Sequence, residues 1–259
     1  MEKQILKVVK IGGKLIEDEN KLREFLKDFC ALPFPKILVH GGGTMATKLA
    51  EKLGYETKMV EGRRITDANS MKVITMVYGG LINKNIVAKL QAIGTNSLGL
   101  CGADAGTIIS NKREIGEVDF GFVGDIERVN TGFISATLQQ NITPVFSAIS
   151  YDGRGELLNT NGDSVAAEIA KAMAGIYDTE LYYCFEKKGV LTDVENDESV
   201  IEDIDEQLYK QLLNRGIISD GMLPKLQNCF EALNNGVSKI FLGDSNLLKK
   251  NAIHTKIIK

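Results

Sequence analysis

The chain has 259 residues, 44% of them hydrophobic and 25% charged, enough to bury a large core in one α/β domain or two closely joined lobes. A formal net charge of −3 argues against a nucleic-acid surface or a polybasic membrane patch and leaves small molecules as the expected partners. No apolar run reaches the roughly 20 residues that span a bilayer, Met1–Gln4 leads straight into a strand pattern, and Cys30, Cys101, Cys184 and Cys229 form no C-x-x-C, so a cytoplasmic protein with reduced thiols is expected.

The first predicted element is a buried strand over Val8–Ile11, ending in Gly12-Gly13, where a bare backbone lets an anion approach the N–H groups. Leu22, Phe25, Leu26 and Phe29 predict a helix from Glu17 to Leu32, stopped by Pro33 and Pro35. A second strand, Ile37–His40, runs into Gly41-Gly42-Gly43 and a helix over Thr44–Ala50, so two glycine turns are expected at one carboxyl edge of a parallel sheet. The polar passage Glu61–Asp67 precedes a long helix from Ala68 to about Ile93, capped by Thr66 or Asp67. A short strand at Ser97–Leu100 is followed by hairpin strands over Thr107–Ser110 and Phe122–Val129, expected to cover the crevice. A helix from Thr131 to Gln140, a strand at Thr143–Phe146 and a turn at Asp152–Gly155 complete the first half.

The second half opens with Leu157–Asp163 and a helix of small residues over Val165–Ala174. Strands at Leu181–Phe185 and Lys239–Leu242, a turn at Gly189–Leu191 and two helical patterns flanking Gly221–Lys225 complete it. No linker or repeat is visible, so two lobes dividing near residue 150 would be intimately joined.

Neither standard nucleotide fingerprint is present: the sole Gly-Lys pair, Gly13-Lys14, is followed by Leu15, and there is no G-x-G-x-x-G. What remains is another kit for phosphoryl transfer, made of lysines at element tips (Lys10, Lys225), glycine turns, an Asn/Asp cluster and an arginine pair. Taken singly each has a plainer reading: a snorkelling lysine, a tight turn, or Asn159 and Asp163 as turn and N-cap residues.

Together, V-K-I-G-G at 9–13, V-H-G-G-G at 39–43, G-R-R-I-T at 62–66, G-L-C-G-A-D at 99–104, G-F-V-G-D at 121–125, L-N-T-N-G-D at 158–163 and S-D-G-M-L-P-K at 219–225 occur in one order over nearly the whole chain. In this the sequence resembles the acetylglutamate kinases of the amino-acid kinase family. The resemblance implies a three-layer αβα sandwich with a central, mostly parallel sheet, an N-terminal acyl-amino-acid lobe (residues 1–150) and a C-terminal ATP lobe (residues 151–259). It implies transfer of the ATP γ-phosphoryl group to the side-chain carboxylate of N-acetyl-L-glutamate in arginine biosynthesis, by a homodimer joined through the helix after Arg64. A kinase for another N-acyl amino acid, such as N-succinylglutamate or acetylaminoadipate, and a non-catalytic metabolite sensor are the alternatives.

By the same resemblance Lys10 and Lys225 hold the transferring phosphoryl group and Asp163 orients both ammonium groups. Backbone N–H groups of Gly12, Gly13, Gly42 and Gly43 cradle phosphate and substrate, Arg64 clamps the substrate α-carboxylate, and Asn159 bonds the substrate beside it. ATP lies over Glu186, Lys187, Lys188, Gly189, Val190 and Leu191 and over Ile217, Ile218 and Ser219, with Mg²⁺ bridging its phosphates and no protein metal cage. Relatives carry Ser/Thr-Asp-Val ahead of Gly-Val-Leu, where this chain has Phe185-Glu186-Lys187; the acidic residue survives as Glu and the hydroxyl does not. Neither histidine needs a catalytic role: His40 is expected to bond backbone at the strand tip and His254 to be exposed.

Overall fold

The computed structural model describes residues 3–60, 62–218 and 222–259, apart from the side chain of Pro224. In chain order β1 (Ile5–Ile11) passes through a short α1 (Gly13–Glu17) to α2 (Glu19–Ala31), then β2 (Lys36–His40) and α3 (Gly43–Lys52). A small ribbon, β3 (Met59–Val60) and β4 (Arg63–Arg64), precedes a continuous helical run of α4 (Ala68–Ile74), a π-helical segment (Thr75–Ile82) and α5 (Asn83–Ala92). Next come β5 (Ser97–Leu100), β6 (Ile108–Lys112), β7 (Gly124–Val129), α6 (Thr131–Gln139), β8 (Thr143–Ser147), β9 (Ile149–Tyr151), β10 (Leu157–Asn159) and α7 (Gly162–Met173). The remainder is β11 (Asp178–Cys184), β12 (Asp203–Ile204), α8 (Glu206–Asn214), α9 (Leu223–Asn234), β13 (Lys239–Gly243) and β14 (Thr255–Ile257).

Contacts divide the chain into two compact units, Met1–Lys36 with Ala166–Lys259, and Ile37–Val165. The first 36 residues therefore fold with the C-terminal part of the chain, and the contacts do not divide near residue 150. In the first unit the strand order is β12-β14-β13-β11-β1, with β1, β11 and β13 parallel and β14 antiparallel to β13. Leu6, Val8, Val9 and Ile11 are fully buried, the near-continuous apolar burial that a parallel strand covered on both faces requires. Asp18 caps α2 by accepting from the N–H groups of Asn20 and Lys21, so the helix expected from Glu17 begins two residues later and Glu17 closes α1. The far end of α2 is closed by Lys36, whose buried ammonium donates to the carbonyls of Phe29, Cys30 and Leu32 at 2.9, 2.6 and 2.8 Å.

The second unit has parallel strands in the order β2-β8-β5 and a separate four-stranded sheet, β10-β9-β6-β7. In the latter the expected hairpin forms, with a register shift between Ile109 and Ser110. The expected helix over 68–93 is continuous, but its middle takes the wider π geometry around Gly79-Gly80. Side-chain periodicity does not distinguish that geometry from α, whereas π segments gather at functional sites. Among the described residues no helix is long and apolar enough to cross a membrane.

Candidate active site

In the second unit β2 delivers the chain to the glycine turn. Gly42 must be glycine: a Cβ there would lie 2.3 Å from Ile82 Cδ1 and 3.0 Å from the Tyr78 ring, both borne by the π segment. Burial raises the Tyr78 hydroxyl above its ordinary pKa, so it stays neutral beside the turn. Arg64 is half-buried and fixed by the turn: its Nη2 donates to Gly43 O at 3.0 Å and Thr47 Oγ1 at 2.7 Å, and its Nη1 to Thr57 Oγ1 at 3.2 Å. Its neighbour Arg63 is exposed, as are Lys58 and Lys72, so of the arginine pair the fold embeds Arg64.

Asn159, at the end of β10, donates from Nδ2 to Thr66 Oγ1 at 3.0 Å, and that hydroxyl donates to Arg64 O at 3.2 Å. Thr66 is fully buried and pairs with the 120–122 segment through Thr66 N to Phe120 O and Phe122 N to Thr66 O. Gly121 permits the contact, because its φ is +71° and a Cβ would meet Thr66 O at 2.4 Å. Thr66 is thus the link between two predicted substrate residues that sequence reading treated only as a cap; its place in G-R-R-I-T, two residues after Arg64, was the available signal. At the start of α7 it is Asn161 that caps the helix, its Oδ1 accepting from the N–H groups of Asp163 at 2.7 Å and Ser164 at 3.4 Å. Asp163 therefore is not the cap of its helix, which removes the plainer reading of that carboxylate.

In the first unit the structure brings both predicted catalytic lysines to one tyrosine. Lys10 pairs in register with Tyr183 across β1 and β11, and Lys225 Nζ lies 5.1 Å from the centre of the Tyr183 ring and 5.6 Å from that of Phe185. Gly12 donates its N–H to Cys184 O at 3.2 Å and Gly13 opens α1 directly after the tip of β1. Glu186 is exposed and ion-paired with Lys14 at 2.6 Å; Lys187 pairs with Asp197 at 2.9 Å and Lys188 with Glu198. Gly189, Val190 and Leu191 are buried, with Val190 N donating to Thr255 Oγ1 at 2.8 Å. A Cβ at 189 would stand 2.5 Å from that same hydroxyl, so this segment of the expected nucleotide site also serves packing. Ile217 and Ile218 follow α8 half-buried, and Ser219 lies outside the described residues.

His40 bonds backbone as expected, with Nδ1 2.8 Å from Gly41 O. His254 does not sit exposed: it is half-buried, edge-on to Phe241 with ring centres 5.4 Å apart, and its Nδ1 lies 2.7 Å from Ala252 O. The return of β14 antiparallel onto β13 sets His254, the residue just before β14, against Phe241.

Residues 6–244 match the amino acid kinase family. The chain belongs to that family. Among curated relatives, a Phocaeicola vulgatus protein named acetylglutamate kinase is 54% identical over 93% of this chain and 93% of its own length. A Bacteroides fragilis protein of the same name is 52% identical over 98% of this chain and 95% of its own. Among solved structures, smu.665 from Streptococcus mutans is 25% identical, with a TM-score of 0.81 over 97% of this chain and 98% of that one. The resemblance drawn from the motifs is thereby borne out, as is the α/β fold with its mostly parallel sheet strands.

Proposed function

We propose that this amino acid kinase transfers the γ-phosphoryl group of ATP to the side-chain carboxylate of N-acetyl-L-glutamate, forming N-acetyl-L-glutamyl 5-phosphate and ADP in arginine biosynthesis. The observation that carries this reading is the 52–54% identity, over nearly the whole chain, to relatives named acetylglutamate kinase.

The residues suit the chemistry. A carboxylate is ionised at pH 7, so no general base is needed; alignment and neutralisation of a charged in-line transition state suffice. Lys10 and Lys225, both beside Tyr183, supply positive charge to the transferring group, and the role carried over to Asp163 from the family is to orient them. The Gly12 N–H expected to cradle phosphate is held by Cys184 O, so the ATP phosphates take the Gly13 N–H at the start of α1, and the base and ribose take Glu186–Leu191 and Ile217–Ser219. Mg²⁺ would come with the nucleotide and would neutralise charge on the transferring group. The Gly42 and Gly43 N–H groups, Arg64 and Asn159 take the acyl-amino acid. Arg64 spends three of its N–H groups on Gly43, Thr47 and Thr57, so it meets the α-carboxylate already oriented. Met76, Leu81 and Leu98 are 51%, 50% and 38% exposed on the long helix and β5, and these apolar side chains are the ones a homodimer would cover. We place the protein in the cytoplasm.

Steady-state kinetics with a panel of acceptors tests the assignment. The highest kcat/KM is expected for N-acetylglutamate; a value at least tenfold higher for N-succinylglutamate or acetylaminoadipate would move the acyl assignment, and no turnover with any acceptor would leave a metabolite sensor.

A further inference from the structure

A buried polar pair, outside the chemistry just described, supports the glycine turn. His40 is fully buried and Asn83 is 1% exposed. Because a carbonyl can only accept, the 2.8 Å contact from His40 Nδ1 to Gly41 O puts the ring proton on Nδ1 and leaves Nε2 bare. Asn83 Nδ2 donates to that bare nitrogen at 3.1 Å and to Val145 O at 2.9 Å, which also fixes the orientation of the amide. Asn83 Oδ1 accepts from Lys84 Nζ at 3.2 Å. Residue 99 leaves room for this: a Cβ on Gly99 would stand 2.0 Å from Asn83 Oδ1.

The consequence for the turn follows from peptide geometry. In a trans peptide the C=O of one residue and the N–H of the next point in opposite directions, so holding Gly41 O sets the direction of Gly42 N–H. Ile82, the residue before Asn83, fills the space a Cβ on Gly42 would need, so consecutive residues at the π-to-α junction flank both ends of one peptide plane. The next two carbonyls are tied as well, Gly42 O to Ala46 N at 3.0 Å and Gly43 O to Arg64 and Thr47.

We propose that Asn83 is a positioning residue for acyl-amino-acid binding: by fixing the tautomer of His40 it locks the Gly41–Gly42 peptide plane and aims the Gly42 N–H at the substrate. This rests on the kinase reading above. A double-mutant cycle tests it. Asn83→Ala and His40→Ala each raise KM for N-acetylglutamate about tenfold, the loss expected when one aimed hydrogen bond is misdirected. The double variant shows no further rise, because both substitutions break one path. KM for ATP and kcat stay within about threefold of the unsubstituted enzyme. An unchanged KM for N-acetylglutamate, or equal additive losses in kcat and both KM values, overturns the proposal. Nitrogen-15 NMR of histidine in the unsubstituted protein decides the matter if the variants do not fold. The His40 resonances should report an Nδ1-protonated ring that shifts on adding N-acetylglutamate; an Nε2-protonated ring, or one indifferent to the ligand, overturns it. An enzyme with the expected tautomer that phosphorylates no N-acyl glutamate would instead sink the kinase reading.

Discussion

Acidification should destabilise this protein through His40, starting at a higher pH than its carboxylates respond to. Burial pushes the His40 imidazole from 6.5 down to about 4, so the native state keeps it neutral where the unfolded chain would protonate it. Between those values the unfolded state binds more protons, so stability is greatest above pH 6.5 and falls as pH drops toward 4. The full difference amounts to about 3 kcal/mol, of which about 2 kcal/mol should be lost between pH 7 and pH 4.5. A depressed carboxylate such as Asp67, held below its ordinary 3.8 by the Ser70 N–H, adds its own loss only at lower pH. The chain contains no tryptophan, so urea unfolding is best followed by far-ultraviolet circular dichroism. His40→Gln should flatten the profile between pH 7 and 4.5 while lowering stability at neutral pH. A loss below about 1 kcal/mol in the unsubstituted protein, or an equal slope in the variant, would refute the buried neutral imidazole.

Lys36→Met keeps the aliphatic stem but leaves the Phe29, Cys30 and Leu32 carbonyls without their donor, and should cost about 2–3 kcal/mol in unfolding experiments with kcat unchanged at 25 °C. Lys10→Ala and Lys225→Ala should each lower kcat by about 10²–10³-fold with the fold retained by circular dichroism; a kcat within a few-fold of the unsubstituted enzyme would exclude a two-lysine mechanism. Arg64→Ala should raise KM for N-acetylglutamate by more than about tenfold, whereas Arg63→Ala, at an exposed position, should change it little in the same assay. Replacing Met76 and Leu81 together by Glu should turn a dimer into a monomer by light scattering.

Much of the frame is legible locally. The apolar run before Gly12 and the Ile37–His40 strand before three glycines can hardly be anything but buried strands opening onto turns, and both form. Arg64 beside the Gly43 turn was implied by motif order, though what fixes it there was not, because Thr47 and Thr57 carry no signal in the sequence beyond being threonines. Non-local contacts were the hidden part. Thr66 and Asn159 are 93 residues apart and meet where the 120–123 segment pairs with both of them. Asn83 looks like an ordinary polar position in a long helix until His40 and Val145 are placed around it. Nor does composition announce that Lys36 would bury its ammonium at a helix end, or that the first 36 residues would join the C-terminal unit, since β1 finds its partner β11 about 170 residues later.

Trapping the product with hydroxylamine tests the central claim most directly, because transfer to a carboxylate makes an acyl phosphate that hydroxylamine converts to a hydroxamate. With N-acetyl-L-glutamate and ATP, hydroxamate is expected to form in step with ADP, one for one, and to vanish when the acceptor is omitted. ADP released without hydroxamate, or hydroxamate formed at the same rate by the Lys225→Ala variant, would contradict the assignment of this chain as a carboxylate kinase that uses that lysine.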